Sequence, residues 1–217
     1  MLKVNGCVIG KLLDGSKKST KKSMNFKFNL ILASNSPRRR ELLKGLDIPF
    51  EVKVLPNVSE IYPENLESDK IAEFIAVEKS LAYDGLLLDN DLVITADTVV
   101  ILDKTVLGKP ANRQDAFDML KMLSGKTHHV ITGVCLTTKE KKKSFSVSTS
   151  VSFKELSNDE INYYLDKYKP YDKAGAYGIQ EWIGYVGVTN IKGSYFNVVG
   201  FPVQRIYHEI MKLSTEV

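Results

Sequence analysis

From residue 30 onward the chain alternates short apolar runs with stretches of helical period. Leu30, Ile31, Leu32 and Ala33 are unbroken apolar positions and predict a buried strand. Ser36-Pro37 then has the form of an N-cap followed by proline at the first helical position. The helix that follows turns Leu42, Leu43 and Leu46 inward and stops at Gly45. Phe50, Val52 and Val54 alternate with Glu51 and Lys53, the period of a strand. Residues 56–67 form a polar loop with two prolines that carries Glu60. Ser68 caps a helix of about 15 residues, with Ile71, Phe74, Ile75, Leu81 and Ala82 on one face. Glu78 and Lys79 fall within or beside that face, whereas Glu73 and Ser80 point away.

Residues 92–102 are the most apolar stretch and predict a central strand, with Asp97 in its middle. Asp103-Lys104 turns the chain back through Val106-Leu107 to Gly108-Lys109-Pro110, a hairpin that brings Lys109 toward Asp97. Asn112 caps a helix striped with Ala116, Met119, Leu120 and Leu123 and ended by Gly125. Residues 130–138 and 144–153 form a hairpin across a lysine-rich turn, its second arm strictly alternating Phe145, Val147, Thr149, Val151 and Phe153. Ser157 and Glu160 make a capping box, opening a helix with Ile161, Tyr164, Leu165 and Tyr168 inward. Residues 171–180 read as a glycine- and aromatic-rich loop, and residues 182–189 have strand character. Pro202 starts a last helix with Val203, Ile206, Tyr207 and Ile210 inward.

Charge changes the picture at the N-terminus. Residues 1–23 carry six lysines against one aspartate, a net +5 that leaves −1 for the rest of a chain whose total is +4. This polar leader reads as disordered or non-native, with residues 24–217 forming one domain. Because the body is not basic, the balance speaks against a nucleic-acid partner. No apolar run reaches the roughly 18 residues of a membrane span. Two cysteines, Cys7 and Cys135, make no disulfide framework and predict a reducing, cytoplasmic setting.

Two anomalies carry the chemistry. Arg38, Arg39 and Arg40 load the first turn of a helix whose dipole already favours anions there, which makes a polyphosphate receptor. The plain alternative is arginines that are solvated or paired with acids such as Glu41. The second anomaly is Asp97, because a carboxylate inside a buried strand must be paired or metal-bound. An Asp bonding nearby amides is its plain alternative, and a Glu78 ion pair is that of Lys79. His128-His129, placed just before a strand, and His208, on a surface helix, lack metal-ligand spacing. Walker and GxGxxG loops are absent from the sequence, and Ser34 and Ser36 read as turn and cap rather than nucleophiles.

Ser34-Asn35-Ser36-Pro37-Arg38-Arg39, Glu60, Ala96-Asp97-Thr98, Gly108-Lys109-Pro110, Leu123-Ser124-Gly125 and the stretch from Asp172-Lys173-Ala174 to Gly178-Ile179-Gln180 occur in this order. Together they resemble the Maf family of nucleoside triphosphate pyrophosphatases. The resemblance implies a Maf/ITPase-like α/β fold: a mixed sheet with flanking helices in an elongated, two-lobed single domain with a central cleft. It implies hydrolysis of dTTP and UTP to monophosphate and pyrophosphate, as housecleaning of the nucleotide pool. Asp97 matches the catalytic proton acceptor, and Arg38, Thr98 and Gln180 match positions that set base preference. Ser34, Ser36, Arg39, Lys79 and Lys109 then face the phosphates. A divalent cation, Mg²⁺ or Mn²⁺, is expected on Glu60 and Asp97, with a homodimer as an option for assembly. Ser59 stands where many members carry an acid, and Arg40 lies outside the motif. The rival readings are a nucleotide-sensing regulator of cell division, the 7-methyl-GTP specificity, and a nucleic-acid module built on the Arg38 cluster and the leader.

Overall fold

Strand β1 (Asn29–Leu32) runs into the Ser36-capped helix α1 (Pro37–Lys44) in a computed structural model that describes residues 26–56, 58 and 60–215. The leader and Ser59 lie outside the described residues. The Ser36 hydroxyl accepts from the Arg39 amide, as the cap predicts. Strand β2 (Phe50–Val52) lies parallel to β1, and Val54 is already past its end and exposed. Strand β3 (Asp91–Leu102) is parallel to β1 and antiparallel to both β4 (Thr105–Leu107) and β5 (Thr127–Thr137). The predicted hairpin of β5 with β6 (Lys142–Phe153) is formed, and β7 (Val188–Lys192) closes the far edge. The sheet is therefore mixed and seven-stranded, ordered β2-β1-β3-β5-β6-β7 with β4 beside β3.

Helix α2 (Ile71–Leu81) covers one face, where Ile71, Ile75, Val99, Ile101 and Ile131 meet. The other face packs on α1, α3 (Arg113–Leu123), α4 (Asn158–Tyr168) and α7 (Val203–Thr215). Its core falls into two clusters: one around Leu32, Ile94 and Ile206, the other around Val100, Leu120 and Leu165. The alternation of β3 makes this possible: its even-numbered residues face the many-helix side, its odd-numbered ones face α2.

Several expectations are corrected. Ser68 opens a single 3₁₀ turn (Ser68–Lys70) rather than capping α2, and no side chain caps that helix. The buried face of α2 keeps Ile71 and Ile75 but also takes in Ala72, Ala76 and Ser80, whereas Leu81 is exposed. The cause is Gly133 on β5: a Cβ there would lie 2.2 Å from the Ala72 backbone, so α2 sits directly on the sheet at that point. Residues 182–187 are a short helix, α5 (Trp182–Gly187), and not the start of a strand. Gly184 there presses so close to the Ile179 carbonyl that a Cβ would meet it at 1.8 Å, a contact made by the turn and invisible to periodicity. His128 and His129 lie inside β5 rather than before it, and a further short helix, α6 (Tyr195–Val199), precedes α7.

Candidate active site

The site is a gap in the sheet. Along one edge of β3, β1 pairs as far as Ile94 and β4 begins at Val100, so among the described residues no strand lies beside residues 95–99 on that side. The direction of the neighbour switches across the gap from parallel to antiparallel, the kind of crevice in which α/β sheets bind ligands. A cavity of about 590 Å³ opens there, walled by the β1–α1 turn, residues 54–56, 58 and 60, α2, β3, the end of the β4 return and residues 172–180. Asp97 and Thr98 are successive residues of β3 and point to opposite faces, so they reach the cavity from two sides.

On the α2 side, Lys79 Nζ stands 2.8 Å from Asp97 Oδ1 and 2.7 Å from Glu60 Oε1. The side chains of Asp97 and Lys79 are each only 15% exposed, so the pair is largely desolvated. Burial pushes the Glu60 carboxyl up, but the hydrogen bond and charge of Lys79, with Lys109 and Arg39 behind it, hold it below the usual carboxylate range. Lys109 lines the same cavity from the β4 return, as the hairpin predicts, and Gly108 is tied down by the Gly175 amide at 3.0 Å. Tyr83 anchors the start of the Glu60 loop, donating to Lys53 O at 2.7 Å and accepting from Leu55 N at 3.2 Å.

On the other side, Arg39 is spent on the protein. Its Nε donates to Gly200 O at 3.0 Å, Nη1 to Ala96 O at 2.8 Å and Ser34 Oγ at 3.4 Å, and Nη2 to Thr98 Oγ1 at 3.1 Å. Of the five guanidinium N–H groups one remains. The arginine thus braces the open edge of β3, supplying the partner that a strand would otherwise give Ala96. Burial lowers its pKa, Asp97 works against that, Arg38 adds to it and Glu60 opposes it. The helix-start amides are likewise committed, since Ser36 N donates to Ser34 Oγ at 3.2 Å and Arg39 N to Ser36 Oγ at 3.4 Å. These two bonds make the helix start a self-capped turn.

Arg38 differs. Its Nη1 meets Asp172 Oδ2 at 2.6 Å, and no other hydrogen bond engages its side chain among the described residues. Asp172 also accepts from Lys173 Nζ at 2.8 Å, and Lys173 reaches Glu181 at 3.0 Å. Glu181 in turn takes the Tyr164 hydroxyl, whose oxygen accepts from the Gly178 amide at 3.0 Å. Burial would raise the Asp172 carboxyl, yet the hydrogen bonds from Lys173 and Arg38 bring it down to about 2. Gln180 lines the cavity with a buried Oε1 that has no hydrogen-bond partner among the described residues. All ten residues that the sequence singles out, Ser34, Ser36, Arg38, Arg39, Glu60, Lys79, Asp97, Thr98, Lys109 and Gln180, border this one cavity. Sequence reading named none of Tyr83, Tyr164, Asp172, Lys173 or Glu181 as a site residue. Only Asp172-Lys173 had a visible signal, as the head of the glycine-rich loop.

Fold and cleft define an α/β protein with a cationic cavity built around a strand carboxylate, the equipment of an enzyme acting on a polyanion. The match to the family model of Maf-like protein over residues 29–213 identifies it further: the chain belongs to that family. A dTTP/UTP pyrophosphatase from Phocaeicola vulgatus is 59% identical over 187 residues, covering 86% of this chain and 97% of its own length. Its namesake from Parabacteroides distasonis is 56% identical over 184 residues, covering 85% and 95%. A solved HAM1 protein from Coxiella burnetii superposes with a TM-score of 0.39 at 15% identity, over 58% of this chain and 73% of that one.

Proposed function

We propose that this chain hydrolyses nucleoside triphosphates, dTTP and UTP foremost, between the α- and β-phosphates, giving nucleoside monophosphate and pyrophosphate. The observation that carries the reading is the Asp97 carboxylate in the middle of β3, where one edge of the strand is open, within a cavity edged by Lys79 and Lys109. Relatives more than half identical to this chain bear the name of that activity. In the reaction Asp97 accepts a proton from water whose oxygen attacks the α-phosphorus. The bond from that phosphorus to the bridging oxygen breaks and pyrophosphate leaves with the electron pair. Lys79 holds the carboxylate in position, and Lys109 neutralises phosphate charge that would repel the incoming water. Arg39 contributes its buried charge and one N–H, while Thr98, Arg38 and Gln180 address the base.

Two carboxylates, Glu60 and Asp97, converge on a single cation, the Lys79 ammonium. Among the described residues no group of three His, Cys, Asp or Glu is placed to hold a metal. Two carboxylates completed by phosphate oxygens and water is the donor set that Mg²⁺ accepts, so the residues fit Mg²⁺ or Mn²⁺. Bound there, the ion would polarise the phosphoryl oxygens. No helix among the described residues is long and apolar enough to cross a membrane. With Cys135 buried and free, the reading includes a reducing cytoplasm as its setting.

The test is product analysis on UTP, dTTP, CTP, ATP, GTP and 7-methyl-GTP with Mg²⁺ or Mn²⁺. UMP or dTMP with equimolar pyrophosphate is expected, and chelation with EDTA is expected to stop it. Release of orthophosphate and a nucleoside diphosphate would overturn the reading.

A further inference from the structure

From the strap of charges that crosses the cavity we infer that Asp172 is a specificity-positioning residue, aiming Arg38 at the base and tying that aim to the loop that carries Gln180. This rests on the proposed activity and on its assignment of Arg38 and Gln180 to the base; the positioning itself is argued from geometry. Arg38 belongs to α1 and Asp172 to the loop on the opposing wall, 134 residues later, yet they meet at 2.6 Å. An arginine near a cleft mouth has several rotamers, and fixing one is entropically costly unless a partner holds it. Asp172 supplies that partner through a single guanidinium nitrogen. The remaining donors of the planar fork stay open for a pair of acceptors such as a pyrimidine carbonyl and its neighbour.

The pairing does not end at Asp172. Cation and anion alternate from Arg38 through Asp172 and Lys173 to Glu181, which binds the Tyr164 hydroxyl on α4. That hydroxyl receives the Gly178 amide, two residues before Gln180. A Cβ on Gly178 would lie 2.9 Å from the Glu181 carboxyl carbon and 3.1 Å from Lys173 Cε, so a side chain there would displace the ends of both strap residues. The backbone that presents Gln180, with its unpartnered Oε1, is thus set by the same charges that hold Arg38. Each charge in the strap is balanced by a neighbour, so the whole is stable without a ligand. A base enters a site whose two polar readers are already at fixed separation, which is where discrimination between ring sizes originates.

Asp172→Asn tests this, and with a side chain 57% exposed it leaves folding intact. KM for UTP and dTTP is expected to rise roughly tenfold or more, the scale of one lost charge-assisted hydrogen bond. kcat changes much less, and the ranking over UTP, dTTP, CTP, ATP and GTP flattens. Asp172→Glu restores part of the ranking. Arg38→Lys flattens it too, and the double variant goes no further than either single one. Inhibition by inorganic tripolyphosphate, which has no base, stays within about twofold if phosphate contacts are untouched. An equal loss for every nucleotide and for tripolyphosphate, or an unchanged ranking, overturns the inference. Calorimetric binding of UMP against GMP reads the same preference without turnover. If the unaltered protein makes no pyrophosphate, the proposed activity fails, while the UMP preference and its loss in Asp172→Asn still decide the role of Asp172.

Discussion

Lys79 Nζ lies 2.8 Å from Asp97 Oδ1, an ion pair between the last turn of a helix and the middle of the strand beneath it. The carboxylate's position is enforced from two directions: β3 cannot shift without breaking its register with β5, and α2 cannot lift without exposing Ile71 and Ile75. Asp97→Asn keeps this shape and removes the proton acceptor. Pyrophosphate release is expected to fall by about a hundredfold or more, the contribution of a positioned general base. The melting temperature is expected to hold or rise, since one half-solvated partner, Glu60, still neutralises Lys79. Near-normal turnover by the folded variant would remove Asp97 from the role of base.

Lys109 stands on a short return held between Gly108, bonded by the Gly175 amide, and a buried Pro110. Phosphates are common to every nucleoside triphosphate, so Lys109→Ala is expected to depress kcat/KM for all of them by similar factors. A change confined to one base would instead put this lysine beside the ring.

Much of this was legible because its signals are local. Ser36 capping α1, Asn112 capping α3 and the Ser157–Glu160 box are short-range hydrogen bonds written in consecutive residues. The alternation from Phe145 to Phe153 needs only the period of a strand. Asp97 stood out because a carboxylate within an apolar run is costly wherever the strand lies. What escaped depends on distant parts of the chain. The burial of Ser80 follows from Cys135 of β5 lying against it, and the exhaustion of Arg39 follows from Gly200 and Thr98 arriving beside it. Tyr164 looked like one more apolar contact on α4, because nothing nearby in sequence announces Glu181 as its partner.

Gly133 supports the site as well as the fold. It pairs directly with Asp97 in the β3–β5 register, and a Cβ on it would overlap the Ala72–Glu73 backbone at 2.2 Å. Neither backbone can yield by a side-chain rotation. Gly133→Ala must push α2 off the sheet, at a cost of about 3 kcal/mol or more, the upper range for overpacking. Lys79 moves with the helix, so activity should fall together with the urea midpoint. An unchanged midpoint would mean that α2 has slack that its packing does not show.

His128 offers a pH test that leaves the cavity charges alone. It is fully buried in β5, its Nε2 2.7 Å from the Tyr177 hydroxyl, with the rings of Phe153 and Tyr177 edge-on around it. Its Nδ1 has no hydrogen-bond partner among the described residues. Burial lowers its pKa from 6.5 to about 4, with His129 adding slightly to the effect. In the unfolded chain the ring takes up its proton near pH 6.5, while in the folded chain it does so only near pH 4. Between those values the unfolded state binds more protons, so stability must fall as pH drops through that window and be complete above it. The shift corresponds to about 3 kcal/mol between pH 7 and pH 4. His128→Gln cannot titrate and keeps a hydrogen-bonding amide for Tyr177. Its unfolding free energy should therefore decline less steeply on acidification than that of the unaltered protein, so that the difference between the two shrinks from neutral pH toward pH 4. Parallel pH profiles in urea titrations would show that His128 is protonated in the folded core, and that the contact with Tyr177 does not require a neutral ring.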